Sequence, residues 1–310
     1  MSKPKPARAL FSLAMLGGLL LPLASGWLAG ASGTLPWLLD LAAHWQWLFL
    51  GGLLLSALLQ SRQDRRWLAL LLATPLPWLS ASASLEPGAG VELRVASANV
   101  NPNNRDITPL ASWLEQAQPD LLVLLEVSPH YAQALQQLPS YTYRLVHAQD
   151  SPFSIALLSR LPLKNAQAHA DDQGIVHLQA QTRFADCAIH ITALHPMPPL
   201  TPAYHAQRNQ QLNGLLVDDA QPRLLAGDLN ATPWSSAFSG LQARGWRRAS
   251  GLAPTWPSFG AGLLGIPIDH VLASRHWHLL GHERGPDIGS DHLPVLVRLA
   301  LPPCPVGGAS

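Results

Sequence analysis

Three apolar stretches with few polar residues between them dominate the start of the chain. They cover about residues 9–30, 35–60 and 67–84. A helix needs about 20 apolar residues to cross a bilayer, and the first two stretches meet that length, whereas the third is shorter and contains two prolines. The pattern predicts about three transmembrane helices in a membrane region at residues 1–85. A cleaved signal peptide is the alternative for the first stretch, but its removal would leave the other two in place.

The rest of the chain shows the short apolar runs and alternation that are typical of β-strands. Within residues 120–127, the continuous apolar run at 121–125 is typical of a strand in a sheet that is covered on both faces. Helical spacing over residues 205–216 places a helix between later strands. We therefore predict an α/β (α+β) domain with large sheets at residues 93–302, after a linker at 86–92 and before a tail at 303–310.

Charge is scarce in the membrane region, and its distribution predicts an orientation. Over the whole chain, only 13% of the residues are charged, which is about half the usual share of a soluble domain. Basic residues lie before the first apolar stretch and between the second and third: Lys3, Lys5, Arg8, Arg62, Arg65 and Arg66. The positive-inside rule makes both segments cytoplasmic. Three spans would then place the large domain on the far side of the membrane, in a periplasmic or extracytoplasmic position.

Several classes of site find no support in the sequence. There is no His-Glu-x-x-His motif and no cysteine cluster for zinc, no Gly-x-Ser-x-Gly nucleophile elbow and no Walker-type glycine loop with a lysine. Cys187 and Cys304 are the only cysteines, too few for a disulfide framework. The sequence leaves open whether these two form a disulfide bond or remain separate buried thiols.

Polar side chains recur where the predicted strands of the domain begin or end. They are Asn99, Glu126, His195, Asp228, Asn230, Asp269, Asp291 and His292. Each alone is most simply a polar group that the fold satisfies at a strand end, but functional groups also gather on the loops of a rigid scaffold. Carboxylate and amide oxygens suit Mg²⁺ or Mn²⁺ better than zinc. The set therefore predicts a site for a hard divalent cation.

The order of these residues resembles the endonuclease/exonuclease/phosphatase (DNase-I-like) superfamily. The resemblance covers about residues 91–300 and depends on five motifs: Asn99 in a first strand, Leu-Leu-Glu126-Val, Gly227-Asp228-Leu-Asn230, Ile268-Asp269-His270-Val and Ser290-Asp291-His292-Leu-Pro294. A membrane-anchored bacterial branch of the superfamily is similar throughout, including the stretch Ser154–Arg160. The resemblance implies a four-layer α/β/β/α sandwich with two central sheets. Together with the three apolar stretches, it predicts a multi-pass protein of the bacterial inner membrane.

The resemblance also implies a role for each polar residue of the motifs. Glu126 would be the principal metal ligand, with Asn99 and Asp291 at the same metal site. Asp228 would orient or deprotonate the attacking water, and Asn230 would contact the phosphate of the substrate.

Two histidines and an arginine complete the implied site. His195 would stabilise the transition state or protonate the leaving oxygen. His292 would be oriented by Asp269, because a carboxylate fixes the tautomer of an imidazole and stabilises its charged form. Arg208 fits the family pattern loosely and would add a phosphate contact.

These implications predict a membrane-anchored phosphoesterase that uses Mg²⁺ or Mn²⁺ to activate water against a phosphodiester or phosphomonoester. The domain shows no obvious basic excess, which duplex-binding proteins usually have. A nuclease therefore stays open beside its main rival, a phospholipid or sphingolipid phosphodiesterase that acts on headgroups at the bilayer. A non-catalytic, membrane-tethered binding module is a third reading. No protein partner is inferred.

Overall fold

The computed structural model describes residues 6–62, 65–218 and 220–304. Lys3 and Lys5, on which the expected orientation partly depends, and residues 305–310 of the predicted tail lie outside the described residues. By its internal contacts the chain divides into two units, which we call the helical unit and the sheet unit. The helical unit consists of Met1–Ser82, Pro198–Gln210 and Ala231–Ser239, and the sheet unit of Ala83–Met197, Gln211–Asn230 and Gly240–Ser310.

Seven α-helices and twelve strands are present in the described residues. The helices are α1 (Pro6–Trp27), α2 (Thr34–Ala43), α3 (Gln46–Ser61), α4 (Leu76–Ser80), α5 (Thr108–Ala117), α6 (Pro129–Ala134) and α7 (Pro202–Leu215). Short 3-10 turns occupy Arg65–Ala73, Leu135–Gln137, Ser236–Phe238, Gln242–Arg244 and Phe259–Gly262. The strands are β1 (Val91–Asn99), β2 (Leu121–Leu125), β3 (Tyr143–His147), β4 (Ile155–Ser159), β5 (Lys164–Ala170), β6 (Val176–Phe184), β7 (Cys187–Leu194), β8 (Arg223–Asp228), β9 (Trp246–Arg248), β10 (Asp269–Ser274), β11 (His278–Arg284) and β12 (Val295–Leu301).

The strands of the sheet unit form two six-stranded mixed sheets. The first has the order β11-β12-β1-β2-β4-β3 and the second the order β5-β6-β7-β8-β10-β9. β1 and β2 run parallel, as do β7 and β8, while their other neighbours are antiparallel. The prediction of a mixed α/β domain with two sheets is therefore confirmed.

The apolar run of β2 explains how the layers of the sheet unit pack. Leu121 and Val123 face the core between the two sheets, whereas Leu122 and Leu124 face the core beneath α5 and α6. A strand that is covered on both faces has no position where a polar side chain could reach water, so its sequence is continuously apolar. The helix α5 contributes apolar side chains at helical spacing: Leu110, Trp113, Leu114 and Ala117.

Cys187 and Cys304 form a disulfide bond, which decides between the two alternatives that the sequence left open. Their Cα atoms lie 5.5 Å apart although 117 positions separate them in sequence. Cys187 begins β7 of the second sheet, and Cys304 follows β12 of the first sheet. The bond therefore links the two sheets of the sheet unit covalently.

The expectation of about three membrane spans is not supported. Among the described residues, α1 alone is a single helix long and apolar enough to cross a bilayer, and α2 with α3 passes the same test only as a pair bent by 61°. The third apolar stretch forms a 3-10 turn followed by the five-residue α4, because prolines interrupt it. A single apolar helix near the N-terminus is typical of a signal sequence as well as of a span. A multi-pass topology and a periplasmic domain are not supported.

A buried ion pair in the helical unit gives the physical reason why α2 departs from the pattern of a lipid-facing helix. Asp40 on α2 is fully buried, and its carboxylate accepts hydrogen bonds from Arg208 Nη2 at 2.7 Å and from Ser25 Oγ at 2.9 Å. Ser235 Oγ also donates to it, at 3.0 Å, and so does the backbone N–H of Ser236. The polar face of α2 is therefore satisfied by protein groups, which a hydropathy average does not detect.

We expect Asp40→Ala to lower the free energy of unfolding by about 3–5 kcal/mol, because it leaves the Arg208 guanidinium buried without its carboxylate. Urea unfolding of the full-length protein in detergent, followed by tryptophan fluorescence, measures the loss. The double variant Asp40→Ala/Arg208→Met should recover part of it, since neither charge then remains buried. A single variant as stable as the wild type would contradict this account.

The disulfide bond should contribute about 2–5 kcal/mol to the stability of the sheet unit, because it restricts the unfolded chain over a long loop. Cys187→Ser/Cys304→Ser should lower the urea midpoint of the full-length protein, and dithiothreitol should lower the wild-type midpoint by a similar amount. Dithiothreitol should leave the midpoint of the double variant unchanged. Equal wild-type midpoints with and without the reductant would show that the bond does not stabilise the fold.

Candidate active site

Six strands bring the predicted site residues to one edge of the sheet unit. Asn99 ends β1, Glu126 follows β2, His195 follows β7, Asp228 ends β8 and Asp269 begins β10. The parallel pairs β1–β2 and β7–β8 place their carboxyl ends together, and the antiparallel strands β10 and β12 begin beside them. Functional side chains commonly gather at such strand ends of a rigid scaffold.

The backbone at this edge adopts conformations that are unusual for the residues concerned. Glu126 has φ 60° and Asn230 has φ 48°, both in the left-handed region. That region is sterically unfavourable for a residue with a long side chain, and such strain gathers at functional sites. Gly227 allows the ends of β7 and β8 to approach, because a Cβ there would lie 1.8 Å from the carbonyl oxygen of Leu194. His195 and Asp228 directly follow these two closely packed residues.

The carboxylate of Asp228 is the centre of the site. Its Oδ2 lies 3.3 Å from Asn99 Nδ2, 3.5 Å from His195 Nε2 and 3.7 Å from His292 Nε2. Asn99 Nδ2 also donates to Glu126 Oε1 at 2.9 Å. Asp228, Asn99 and both histidines are nearly inaccessible to solvent. One buried oxygen therefore faces three nitrogen atoms, which compensates for the loss of its hydration.

Each histidine has its second ring nitrogen held by an acceptor. His292 Nδ1 donates to Asp269 Oδ2 at 2.9 Å, and His195 Nδ1 donates to the carbonyl oxygen of Pro152 at 3.1 Å. Asp269 is held in turn, because its backbone N–H donates to Thr255 Oγ1 at 3.2 Å. Both imidazoles therefore point Nε2 at Asp228, and a proton on that nitrogen gives each ring a positive charge.

The pKa values at the site follow from burial and from these charges. Burial lowers the pKa of His292, but the nearby carboxylates of Asp269 and Asp228 outweigh it and raise that pKa to about 10. Burial likewise lowers the pKa of His195, and Asp228 more than reverses the shift. Burial raises the pKa of Asp228, but the His292 charge and the His195 hydrogen bond bring it to about 2. The centre therefore holds an ionised carboxylate beside a cationic His292, and the same carboxylate favours the protonated form of His195.

Asp291 lies at the exposed rim and is held by two residues that the sequence motifs did not single out. Asn101 Nδ2 donates to its Oδ1 at 2.7 Å, and Trp256 Nε1 donates to its Oδ2 at 3.2 Å. The Trp256 ring also lies 6.4 Å from the ring of His292, centroid to centroid. Asn101 could have been predicted as a site residue because it is close in sequence to Asn99, whereas no local sequence feature indicates that Trp256 belongs to the site.

The remaining two predicted residues have different surroundings. Asn230 belongs to the site: its backbone N–H donates to Asp228 Oδ1 at 2.9 Å, and its Nδ2 donates to the Pro196 carbonyl oxygen at 3.0 Å. Arg208 belongs to the helical unit, where its guanidinium is fully buried against Asp40. A guanidinium that is paired and buried in this way is not presented to a substrate, which speaks against the expected phosphate contact by Arg208.

The carboxylate of Glu126 supplies oxygen atoms of the kind that a hard divalent cation prefers. Burial raises the pKa of Glu126, although the charge of His195, whose Nε2 is 4.0 Å away, and the Asn99 hydrogen bond oppose the shift. An added cation would stabilise this ionised carboxylate. A second group of possible ligands consists of one oxygen of Asp228, one oxygen of Asp269 and a ring nitrogen of His292, which all lie within 4.8 Å of one another. However, Asp269 and His292 are hydrogen-bonded to each other. The Asp269–His292 hydrogen bond competes with cation binding at this group, whereas the carboxylate oxygens of Glu126 are of the kind that Mg²⁺ or Mn²⁺ prefers.

Asn99 presents its amide nitrogen, not its oxygen, to the carboxylates. Its Oδ1 accepts a hydrogen bond from the backbone N–H of Asn101 at 3.1 Å, which fixes the orientation of the amide. In this orientation Asn99 joins Glu126 to Asp228 through two hydrogen bonds from one NH₂ group. Its geometry is that of a positioning residue for both carboxylates.

Comparison with known proteins agrees with this geometry. A model of the Endonuclease/Exonuclease/phosphatase family matches residues 94–292. The fold is similar to that of an endonuclease/exonuclease/phosphatase from Beutenbergia cavernae DSM 12333, with TM-score 0.57 and 19% identity over 70% of this chain and 73% of that one. It is also similar to humanized D. rerio TDP2, with TM-score 0.57 and 18% identity over 67% of this chain and 98% of that one.

A third similar structure is D. rerio TDP2 complexed with single strand DNA product, with TM-score 0.56 and 17% identity over 67% of this chain and 98% of that one. At these identities the structures show a shared fold. No curated protein matches the chain significantly. The family model covers more than half of the chain and includes every site residue described above. The chain therefore belongs to the endonuclease/exonuclease/phosphatase family, which makes it a phosphoric ester hydrolase.

Proposed function

We propose that the protein is a membrane-anchored, divalent-metal-dependent phosphodiesterase. The observation that supports this proposal most is the placement of the Asp228 carboxylate within 3.7 Å of Nε2 of both histidines, with Asn99 joining it to Glu126. Hydrolysis of a phosphate ester requires a positioned water and fixed positive charge for the oxygen atoms that become more negative in the transition state. α1 supplies the proposed anchor, because it is long and apolar enough to cross a bilayer.

In the proposed mechanism Asp228 orients the attacking water. A carboxylate with a pKa of about 2 is a weak proton acceptor, so its main contribution is to direct the lone pair of the water at phosphorus. Asn99 and the backbone N–H of Asn230 hold the carboxylate in place. The amide of Asn230 lies beside it and contacts a phosphate oxygen of the substrate.

The two histidines stabilise the negative charge that develops on phosphorus-bound oxygen atoms. His292 is the more strongly cationic, because Asp269 accepts from its Nδ1. His195 is well placed to protonate the leaving oxygen from Nε2, since its Nδ1–H remains bonded to the Pro152 carbonyl. Glu126 would hold Mg²⁺ or Mn²⁺ with Asp291 at the rim, and the bound cation would supply further positive charge for the transition state. Asn99 orients Glu126.

Two classes of phosphate ester are candidate substrates of the proposed enzyme. A nucleic acid is one candidate, since D. rerio TDP2, a protein of the same fold, is complexed with single strand DNA product. A lipid headgroup is the other. The third candidate is a binding module without chemistry. Such a module would not need two buried histidines aimed at one carboxylate, and membership of a hydrolase family also argues against it.

We expect the full-length protein in detergent to hydrolyse bis-p-nitrophenyl phosphate with Mg²⁺ or Mn²⁺ and to stop when EDTA is added. Glu126→Gln should lower kcat by about 10²–10³-fold, the loss typical when one charge-stabilising group is removed. Asp172→Asn is the matched control, because it neutralises an exposed carboxylate outside the site and should leave kcat unchanged. Turnover that EDTA does not affect would overturn the metal dependence.

Asp269→Asn should lower kcat by about 10²–10⁴-fold, the range expected when a catalytic imidazole is misoriented or loses its proton. The effect should appear in kcat with little change in KM, because Asp269 is buried and reaches the substrate only through His292. His270→Gln is a useful comparison, since His270 is equally buried next to Asp269 but bonds to Ser250. A kcat near the wild-type value in Asp269→Asn would show that the Asp269–His292 pair is structural.

A further inference from the structure

A loop beside the site exposes three large apolar side chains to solvent. Phe259 is 89% exposed, Leu263 82% and Leu264 77%, whereas the next most exposed large apolar residue among the described residues of the sheet unit is Val91 at 47%. We call these three side chains the apolar tip. They lie on a stretch without any charged residue between Arg248 and Asp269. Large apolar side chains that are exposed together on one short loop are typical of an interaction surface.

The loop that carries the apolar tip is closed at its base by backbone hydrogen bonds. Trp256 and Ile266 form an antiparallel bridge, with Trp256 N donating to Ile266 O at 3.1 Å and a reciprocal bond at 2.6 Å. Gly265 packs closely on this base, because a Cβ there would lie 2.5 Å from the Trp256 carbonyl oxygen. The exposure of the tip is therefore a consequence of an ordered loop.

The same base is attached to the catalytic rim. Ser258 N donates to the Asp291 carbonyl oxygen at 2.7 Å, and Trp256 Nε1 donates to the Asp291 carboxylate at 3.2 Å. Leu293 N donates to the carbonyl oxygen of Thr255 at 2.8 Å. The loop is thus bonded on both sides of His292, and whatever the apolar tip contacts is held near the active site.

The chemistry of the loop suits the interface of a bilayer. Phenylalanine and leucine side chains enter the boundary between headgroups and acyl chains, where removing them from water is favourable. An arginine stands at the foot of the tip: Arg284 Nη1 donates to the Pro254 carbonyl oxygen at 2.8 Å and lies next to Gly262. Its charge complements lipid phosphates, and no carboxylate within the loop would repel them. The apolar helix α1 gives the same chain a second affinity for membranes.

We propose that the apolar tip inserts into the surface of a lipid bilayer and that the active site beside it hydrolyses a phosphodiester in a lipid headgroup. This inference depends on the proposed function, since it names the substrate class of the same site. The bilayer positions the scissile phosphate at the rim that Asp291 and Trp256 form. A soluble diester needs no such positioning, so the tip affects the two kinds of substrate differently.

Membrane contact can be measured without reference to activity. Both native cysteines are in the disulfide bond, so Phe259→Cys supplies one free thiol for an environment-sensitive nitrobenzoxadiazole label. With the full-length protein in vesicles of phosphatidylcholine and phosphatidylglycerol, the emission of the label should lie at shorter wavelength than that of the free label in buffer, and an aqueous quencher should lose access. Val217→Cys, at an exposed apolar position of the sheet unit, should show neither change. A label at Phe259 that is as accessible to the quencher as the control overturns the insertion.

The second experiment compares substrates. Phe259→Ser/Leu263→Ser/Leu264→Ser should lower hydrolysis of sphingomyelin or phosphatidylglycerol in vesicles by at least about tenfold, because three buried apolar side chains are lost from the membrane contact. Its rate on bis-p-nitrophenyl phosphate should equal that of the wild type, and Val217→Ser should match the wild type on both substrates.

The outcomes separate the two proposals. A wild-type protein that cleaves the soluble diester but neither vesicle lipid overturns the lipid substrate and leaves the phosphodiesterase in place. A protein that cleaves neither overturns the proposed function, while the label still decides whether the tip enters the bilayer. Equal losses on the soluble and the vesicle substrates in the triple variant overturn the specific role of the tip.

Discussion

The pairing of β8 with β10 places Asp228 directly opposite Asp269, and the site depends on the consequence of that register. Both carboxylates are buried, and two buried negative charges side by side are unfavourable unless cations compensate for them. His292 lies between them, bonded to Asp269 and facing Asp228, and His195 faces Asp228 from β7. The electrostatic requirement of the fold and the needs of phosphate chemistry are met by the same two imidazoles.

Most of this site could be predicted from the sequence, because its residues lie at strand ends where the local pattern changes from apolar to polar. Asn99, Glu126, His195 and Asp228 each follow or end such a run. Asn101, Trp256 and Thr255 were missed for a physical reason: they act on Asp291 and Asp269 through contacts that the tertiary structure creates. The sequence could not decide whether Cys187 and Cys304 form a disulfide bond for the same reason, since no local pattern specifies which distant residues approach each other.

The N-terminal region shows where pattern reasoning fails. A hydropathy average counts Asp40 as one tolerable charge in an apolar stretch, but it cannot detect that Arg208, 168 positions later, is its buried partner. The same burial and pairing leave no exposed guanidinium for the phosphate contact that the loose fit of Arg208 to the family pattern implied. The sequence shows which residues are charged. It indicates the ion-pair partner of such a residue only when that partner is close in sequence or belongs to a known motif.

The Asp40–Arg208 ion pair joins the N-terminal helices to two later segments of the helical unit. The helical unit takes in Pro198–Gln210, which begins soon after His195, and Ala231–Ser239, which directly follows Asn230. Removing the first 82 residues would leave Arg208 and His205 without the carboxylate that they share. A truncated catalytic domain would therefore lack this carboxylate and the helices around it in segments that are continuous with two site residues. The full chain keeps the Asp40–Arg208 pair, so it is the form in which the chemistry and the membrane contact can be measured together.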